Sequence, residues 1–558
     1  MAVAGSGGFV GRAEELARLL AALDQAEQGR PTMVLVAGDA GVGKTRLVAE
    51  LAHQARQRRA RVLVGGCLEV GDVGLPYVPV VAALRGFVVE ADNRELLGAA
   101  AKGLPRLGRL LPELADESNA PASLGEGLEQ LQLFDGVGSL LVRLSEQAPL
   151  VLVLEDLHWA DASTRELVAF LHQTLRMGRL LLVATYRSDE LQRRHPLWPW
   201  LAELGRRPGV ARLELGPLRR AELAEHLAAV RGQRLSAAAV ERIFARSEGN
   251  PFYAEELLAV GADHAEVALP RALGEVLLAR VQVLSDAAQQ VLRVAAVAGR
   301  RVSHQLLVAA ARRPEAAVER GLREAVAAGL LVAEAASESY SFRHALLQEA
   351  LYGDLLPSER VRLHASFAQL LEEDGGGAGA SAAELAYHCL ASHDLAGGLV
   401  ASVQAATEAQ VVHAPGERLR HLEQALSLWE RVPEAARLTG MDRIDLVLGA
   451  AAAANDAGEV DRAVGLARQA IDEVDEHLDP LRTARAHERL AHYFRGGQEE
   501  DKLRLCRHAE QLVPRDPPTP LRARVTAALA QALANTQQRE ESRRWCQEAE
   551  AVNFCETG

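Results

Sequence analysis

Lysine is nearly missing from this chain. Of its 62 basic residues only Lys44, Lys102 and Lys502 are lysines, and the rest are arginine. A sequence that writes almost every positive charge as Arg, yet keeps Lys44, has a site there that needs a compact ammonium. Net positive charge is missing too: the formal balance is -13, which argues against broad, sequence-independent binding to DNA or anionic lipid. No apolar run approaches the ~18 residues that span a bilayer, so no membrane partner is expected. The longest runs, 150–154 and 180–184, are strand-sized. The first dozen residues carry neither a basic n-region nor an apolar h-region, so no secretory signal is expected. Cys67, Cys389, Cys506, Cys546 and Cys555 are scattered without a C-x-x-C pair. Reduced thiols and a cytoplasmic location are the expectation. Aromatics make up only 4% of the residues, and Ala and Leu dominate. That mix reads as a largely helical protein with close helix packing.

What is present is enough apolar surface for several cores: 558 residues, 49% of them hydrophobic, which suggests about three to five domains. Residues 12–28 read as an amphipathic helix, with Leu16, Leu19, Leu20 and Leu23 on one face. An apolar strand at 32–37 leads through a Gly-rich turn into a helix at 45–58, and a second strand follows at 61–65. Two more apolar strands, 150–154 and 180–185, flank a helix at about 163–175. Strands apolar on both faces, alternating with helices, predict a parallel sheet covered by helices. After about residue 216 the strands nearly vanish. A helical stretch at 219–263 precedes a second one, 271–370, which carries a β-hairpin at 329–342. A Gly-rich linker at 374–381 then marks a boundary. Beyond it, turns at Gly416, Gly458, Gly497 and about Gln538 recur at roughly 40-residue spacing between Ala/Leu-rich helices, which predicts a helical solenoid. The last unit reaches Gly558 without a polar cap, so a longer chain is expected.

Three constellations carry chemistry. Gly38, Asp39, Ala40, Gly41, Val42, Gly43, Lys44 and Thr45 match G-x-x-x-x-G-K-[ST] in full, between a strand and a helix. Such glycines let backbone N–H groups curl around phosphates, and the helix N-terminus adds partial positive charge. Lys44 would reach the β- and γ-phosphates of ATP, or the β-phosphate of ADP, and the Thr45 hydroxyl would bind Mg²⁺. The strand at 150–154 ends in Glu155 and Asp156, the Walker B pattern. Position puts Glu155 on the metal side and makes Asp156 the base that polarises water, with the reverse assignment left open. Arg187, closing the next strand, is placed to sense the γ-phosphate.

Together these residues resemble the STAND class of AAA-related ATPases, and most of all the large ATP-binding regulators of the LuxR family in actinobacteria. The resemblance is strong over about 8–375 and loose beyond. Phe9, Val10, Gly11 and Arg12 are similar to the family's F-V-G-R opening, which borders adenine. The run from Glu155 to Asp161 is similar to its D-D-L-H-W-A-D signature; the departure is Glu155 for the commoner Asp, and the extra methylene of glutamate points to slow hydrolysis. Gly249, Asn250, Pro251 and Phe252 resemble the lid motif whose proline packs on adenine. His344 falls where the family's winged helix carries a histidine on the ADP β-phosphate. The resemblance implies a nucleotide-binding domain at 1–215, a helical lid at 216–270, a winged-helix-like domain at 271–373 and a tetratricopeptide-like repeat region at 382–558. It also implies a slow, Mg-dependent switch. ADP holds the closed form, and an inducer or protein on the repeats, with ATP, opens it toward a homo-oligomer that regulates transcription. DNA would be reached only through a domain not present here, since charge at 271–373 is mixed. A housekeeping AAA ATPase and a nucleotide-stabilised scaffold that binds a protein partner remain as alternatives.

Overall fold

The computed structural model describes residues 9–67, 76–91, 93–111, 126–174, 177–191, 195–259, 273–334, 338–373, 381–494, 497–516 and 519–556. Among the described residues, five parallel strands make the first sheet: β1 (Thr32–Gly38), β2 (Arg61–Gly66), β3 (Leu150–Glu155), β4 (Leu180–Arg187) and β5 (Val210–Leu215), in the order β2-β3-β4-β1-β5. Every residue of β4 is buried, and β3 is buried up to its last position. These continuous Leu/Val runs are what a strand covered on both faces requires. Leu16, Leu19 and Leu23 of helix Ala13–Glu27 pack with Leu47, Val48 and Leu51 of helix Lys44–Gln57 and with alternate valines of the sheet, Val34, Val36, Val151, Val153 and Val183.

The sequence reading misses β5. Arg212 and Glu214 are exposed on it, while Leu213 and Leu215 are buried. A half-buried edge strand alternates and so leaves no apolar run to find. Parallel registry sets the strand ends side by side. Gly38 pairs with Arg187, and Gly66 pairs with Glu155. The expected sensor residue and the P-loop therefore leave the sheet at one edge, where α/β sheets bind ligands.

Three short helices follow, Arg220–Arg231, Ala237–Ser247 and Pro251–Ala259, around Leu218, Leu223, Leu227, Ile243 and Leu257. Ser236 caps the second, accepting from Ala239 N at 3.2 Å. Residues 273–373 then build helices around a three-stranded antiparallel sheet of β6 (Arg301–Ser303), β7 (Leu331–Glu334) and β8 (Ser339–Phe342), ordered β6-β8-β7. The hairpin expected at 329–342 is β7 and β8, with 335–337 outside the described residues. Strand β6, three residues long, is also missed by the sequence reading, in which strands nearly vanish past 216 apart from that hairpin. The expected junction at 270–271 lies outside the described residues, as does the linker at 374–381 apart from Ser381.

The chain divides by proximity into two units, one of residues 1–124, 130–380 and 387–393, the other of 125–129, 381–386 and 394–558. The second is a series of helix pairs: Leu395–Val411 with Pro415–Trp429, Arg443–Asp456 with Val460–Glu473, Pro480–Tyr493 with Glu499–Leu512, and Pro520–Asn535 with Arg539–Glu556. Each first helix opens on a polar cap. Asp394, Asp442, Asp479 and Thr519 accept backbone N–H bonds at 3.0, 2.9, 3.0 and 3.1 Å. Ala450, Ala451, Ala453, Ala454, Ala484 and Ala491 are buried, the small side chains that let paired helices approach closely. Gly458 and Gly497 sit at turns with positive φ, as the repeat predicts. The turn expected at Gly416 lies just before it, because Pro415 already starts the helix.

Candidate functional site

The P-loop leaves β1 at Gly38 and enters helix Lys44–Gln57. Lys44 is buried, and its Nζ donates to the carbonyls of Gly38 at 2.6 Å and Asp39 at 2.9 Å. Burial lowers the ammonium's pKa, while nearby Asp156 acts in the opposite direction. Ser188 Oγ donates to Asp39 Oδ1 at 3.1 Å, and the Ala40 N–H points to Asp189 Oδ2 at 3.4 Å. Arg12, in the left-handed region at φ 61, donates to Val42 O at 3.2 Å and also to Gly216 O. Val10 and Gly11 are half-buried in the same segment. A methyl on Gly11 would meet Leu218 at 3.4 Å.

The turn Gly249–Phe252 closes on the loop from the other side. Asn250 Nδ2 donates to Ala40 O at 2.9 Å, and Phe252 N–H to Gly41 O at 3.3 Å. A Cβ on Gly41 would lie 3.0 Å from both Asn250 Oδ1 and Phe252 Cβ, so only glycine allows this approach. Pro251 Cγ would stand 4.0 Å from a methyl on Gly43. Arg46, one residue past the loop, meets Glu255 at 3.6 Å, and Glu255 also takes His226 at 2.7 Å.

The two acids differ sharply in setting. The Glu155 carboxylate is hydrogen-bonded by the Thr45 hydroxyl. Its Oε1 is buried and has no hydrogen-bond partner among the described residues. Burial first, and then neighbouring Asp156, push this carboxyl up to about 7. An orphaned buried carboxylate oxygen beside a threonine hydroxyl is a fitting donor set for Mg²⁺, which prefers oxygen ligands and would satisfy both. Asp156 follows in the left-handed region at φ 60, its N–H held by Thr185 Oγ1 at 3.0 Å. Its Oδ2 accepts from Arg300, which comes from the turn before β6.

Arg187 is buried and ion-paired with Glu190 and, at 2.9 Å, with Glu349 of helix Ala345–Asp354. Its guanidinium lies 5.0 Å from the Trp159 ring centre, and that of Arg300 lies 5.6 Å from the same centre. His158 beside it is buried, which drops its pKa to about 3 and keeps it neutral. His344 packs against Phe252 with its ring tilted, at 4.1 Å between ring centres, and burial lowers its pKa to about 4.

The P-loop, Arg12, Glu155, Asp156, Arg187 and Pro251 are thus brought together. His344 touches this cluster one residue removed, through Phe252. Sequence reasoning missed Arg300 and Glu349, for which no local signal exists: each is an ordinary surface-type charge until the fold brings it to the strand ends. It passed over Ser188 and Asp189 as well, although their place directly after Arg187 was a usable signal.

Residues 8–183 match a family described as the AAA ATPase domain. That stretch holds the P-loop, Glu155 and Asp156, and stops within β4. An uncharacterized protein of Rhizobium meliloti (strain 1021) is 27% identical over 484 residues, 77% of this chain and 43% of that protein. The chain therefore spans less than half the length of the curated relative it matches. Among solved structures, a Signal Transduction ATPase with Numerous Domains (STAND) protein with a tetratricopeptide repeat sensor, from Pyrococcus horikoshii, is 12% identical. The match covers 99% of this chain and 84% of that one, at a TM-score of 0.43. The ORC1 protein of Aeropyrum pernix, solved in complex with DNA, is 16% identical over 63% of this chain and 95% of that one, at a TM-score of 0.28. At these TM-scores neither likeness adds to what the AAA ATPase domain and the strand order already say.

Proposed function

We propose that this chain is a nucleotide-operated signalling switch. It holds ATP or ADP with Mg²⁺ on the P-loop, hydrolyses ATP slowly, and couples ligand sensing by its helical repeats to opening and self-association. Regulation of transcription, through a DNA-binding domain outside this chain, is the output the LuxR-family resemblance favours. In this reading Lys44 and the loop amides hold the phosphates, Thr45 and Glu155 hold Mg²⁺, and Asp156 accepts the proton of the attacking water. Arg187 senses the γ-phosphate, and residues 273–373 act as the winged helix. The carrying observation is convergence. Asn250 of the small helical domain bonds the P-loop, while Arg300 and Glu349 of the 273–373 domain bond Asp156 and Arg187. Elements distant in sequence thus grip the residues that would feel the nucleotide, as a switch requires.

The test is calorimetry and turnover with MgATP on wild type and Lys44→Ala. Losing the ammonium removes a charge-assisted contact, about 1.5–3 kcal/mol, so affinity should fall by roughly 10- to 100-fold or more. Unchanged affinity in a folded variant would sink the site assignment. Fast wild-type turnover would indicate a remodelling ATPase instead, and bound nucleotide without any turnover a scaffold.

A further inference from the structure

We propose that Arg300 is a lock on the hydrolytic base. While it holds Asp156 by Oδ2, the carboxylate is a poorer acceptor for the proton of water at the γ-phosphate, and withdrawal of the turn before β6 releases hydrolysis. This rests on the nucleotide reading above and adds a residue to it.

Three observations carry it. Asp156 Oδ2 is engaged by Arg300, in a pair whose side chains are 13% and 30% exposed. Such shielding from water makes a charge-assisted bond persistent rather than a passing surface contact. The Asp156 backbone is itself anchored, in a left-handed conformation with its N–H on Thr185 Oγ1, so the Cα that carries the carboxylate is held in place. Arg300 is itself seated. It shares the Trp159 ring with Arg187, and Arg187 is tied to Glu349, which belongs to the same 273–373 domain as Arg300. One domain thereby holds the base through Arg300 and the expected γ-phosphate sensor through Glu349, with both guanidiniums beside one indole.

The chemistry is restrained at a single step. In hydrolysis the water oxygen bonds the γ-phosphorus, the bond from that phosphorus to the bridging oxygen of ADP breaks, and the water proton passes to the base carboxylate. A guanidinium donating to Oδ2 occupies one of the two oxygens that could take the proton, and its charge favours the ionised carboxylate over the protonated one. Arg300 is thus a positioning residue, acting through Asp156.

The experiment uses the full chain. Single-turnover hydrolysis of radiolabelled ATP and binding of a fluorescent ADP are measured for wild type, Arg300→Gln, Arg300→Lys, and Arg300→Gln combined with Asp156→Asn. Arg300→Gln should hydrolyse faster by on the order of tenfold, a fraction of what a positioned base supplies, with ADP affinity little changed. Arg300→Lys should be intermediate, because an ammonium lacks the planar fork; it also serves as the readout should Arg300→Gln fail to fold. The combined variant should show no acceleration, since the freed base is gone, whereas a merely structural loosening would persist in it. A rate equal to or below wild type in a nucleotide-binding Arg300→Gln overturns the lock, and a fall would make Arg300 a phosphate contact. Absence of ADP binding by wild type overturns the nucleotide reading and the lock with it.

Discussion

Glu155 and Asp156 are adjacent in sequence and opposite in circumstance. Glu155 is the last residue of a buried strand, so burial raises its proton affinity, and a cation beside Thr45 would replace the proton. Asp156 is the first residue off the strand and already has a cation, Arg300. This asymmetry supports different roles and gives a paired prediction. Asp156→Asn should keep MgATP binding and slow single-turnover hydrolysis by about 100-fold or more, because an amide cannot accept a proton. Glu155→Gln should instead weaken the Mg²⁺ dependence of binding. Isothermal titration with and without Mg²⁺, beside the turnover assay, separates the two. The opposite pattern would mean that the roles are exchanged.

Among the structural elements, helix Pro357–Glu373 and helix Ala382–Ala391 present a titratable contact in the core. His364 Nδ1 faces His388 Nδ1 at 2.8 Å, and His364 Nε2 meets the Tyr352 hydroxyl at 3.0 Å. One imidazole must donate and the other accept, so the two rings cannot both be protonated. Burial lowers His364 to about 4 and His388 to about 3, from an ordinary value of 6.5. Both folded values are depressed, so their contribution is intact above pH 6.5 and is lost as pH falls from 6.5 toward 4. The slope is about 1.4 kcal/mol per pH unit for each ring kept neutral. Thermal melting between about pH 7 and about pH 5 should show this loss. His388→Phe, whose ring can keep the stack on Phe367, should remove about one proton's share of the slope. Equal slopes in variant and wild type would show that the pair does not stay neutral in the fold.

For the whole molecule, the proposed ligand would act through differential contact. A nucleotide gripped by the P-loop and covered by Asn250, Pro251 and Phe252 favours the closed arrangement by the difference in its affinity for the two states. ADP at about a hundredfold excess over its Kd should stabilise the chain by about 2.7 kcal/mol. His344→Ala should reduce that gain more for ADP than for ATP and raise self-association in light scattering, as expected of a group near the β-phosphate. If His344 only packs on Phe252, both nucleotides weaken alike and that role fails.

Much of this was legible in the sequence. The places of the P-loop, the acid pair and Arg187 could be read because strands buried on both faces write unbroken apolar runs, and these residues sit where such runs stop. The helix pairs announced themselves through turn glycines and alanine-rich faces, since close helix contact demands small side chains. The sequence did not announce β5, whose edge position makes it alternate with charge, or β6, which is too short to carry a period. Nor could it say that Arg300, 144 residues beyond Asp156, reaches it. Local pattern records which face of an element meets a core; a pairing of two charges across domains leaves no periodic trace, because it is made only when packing brings separate turns together.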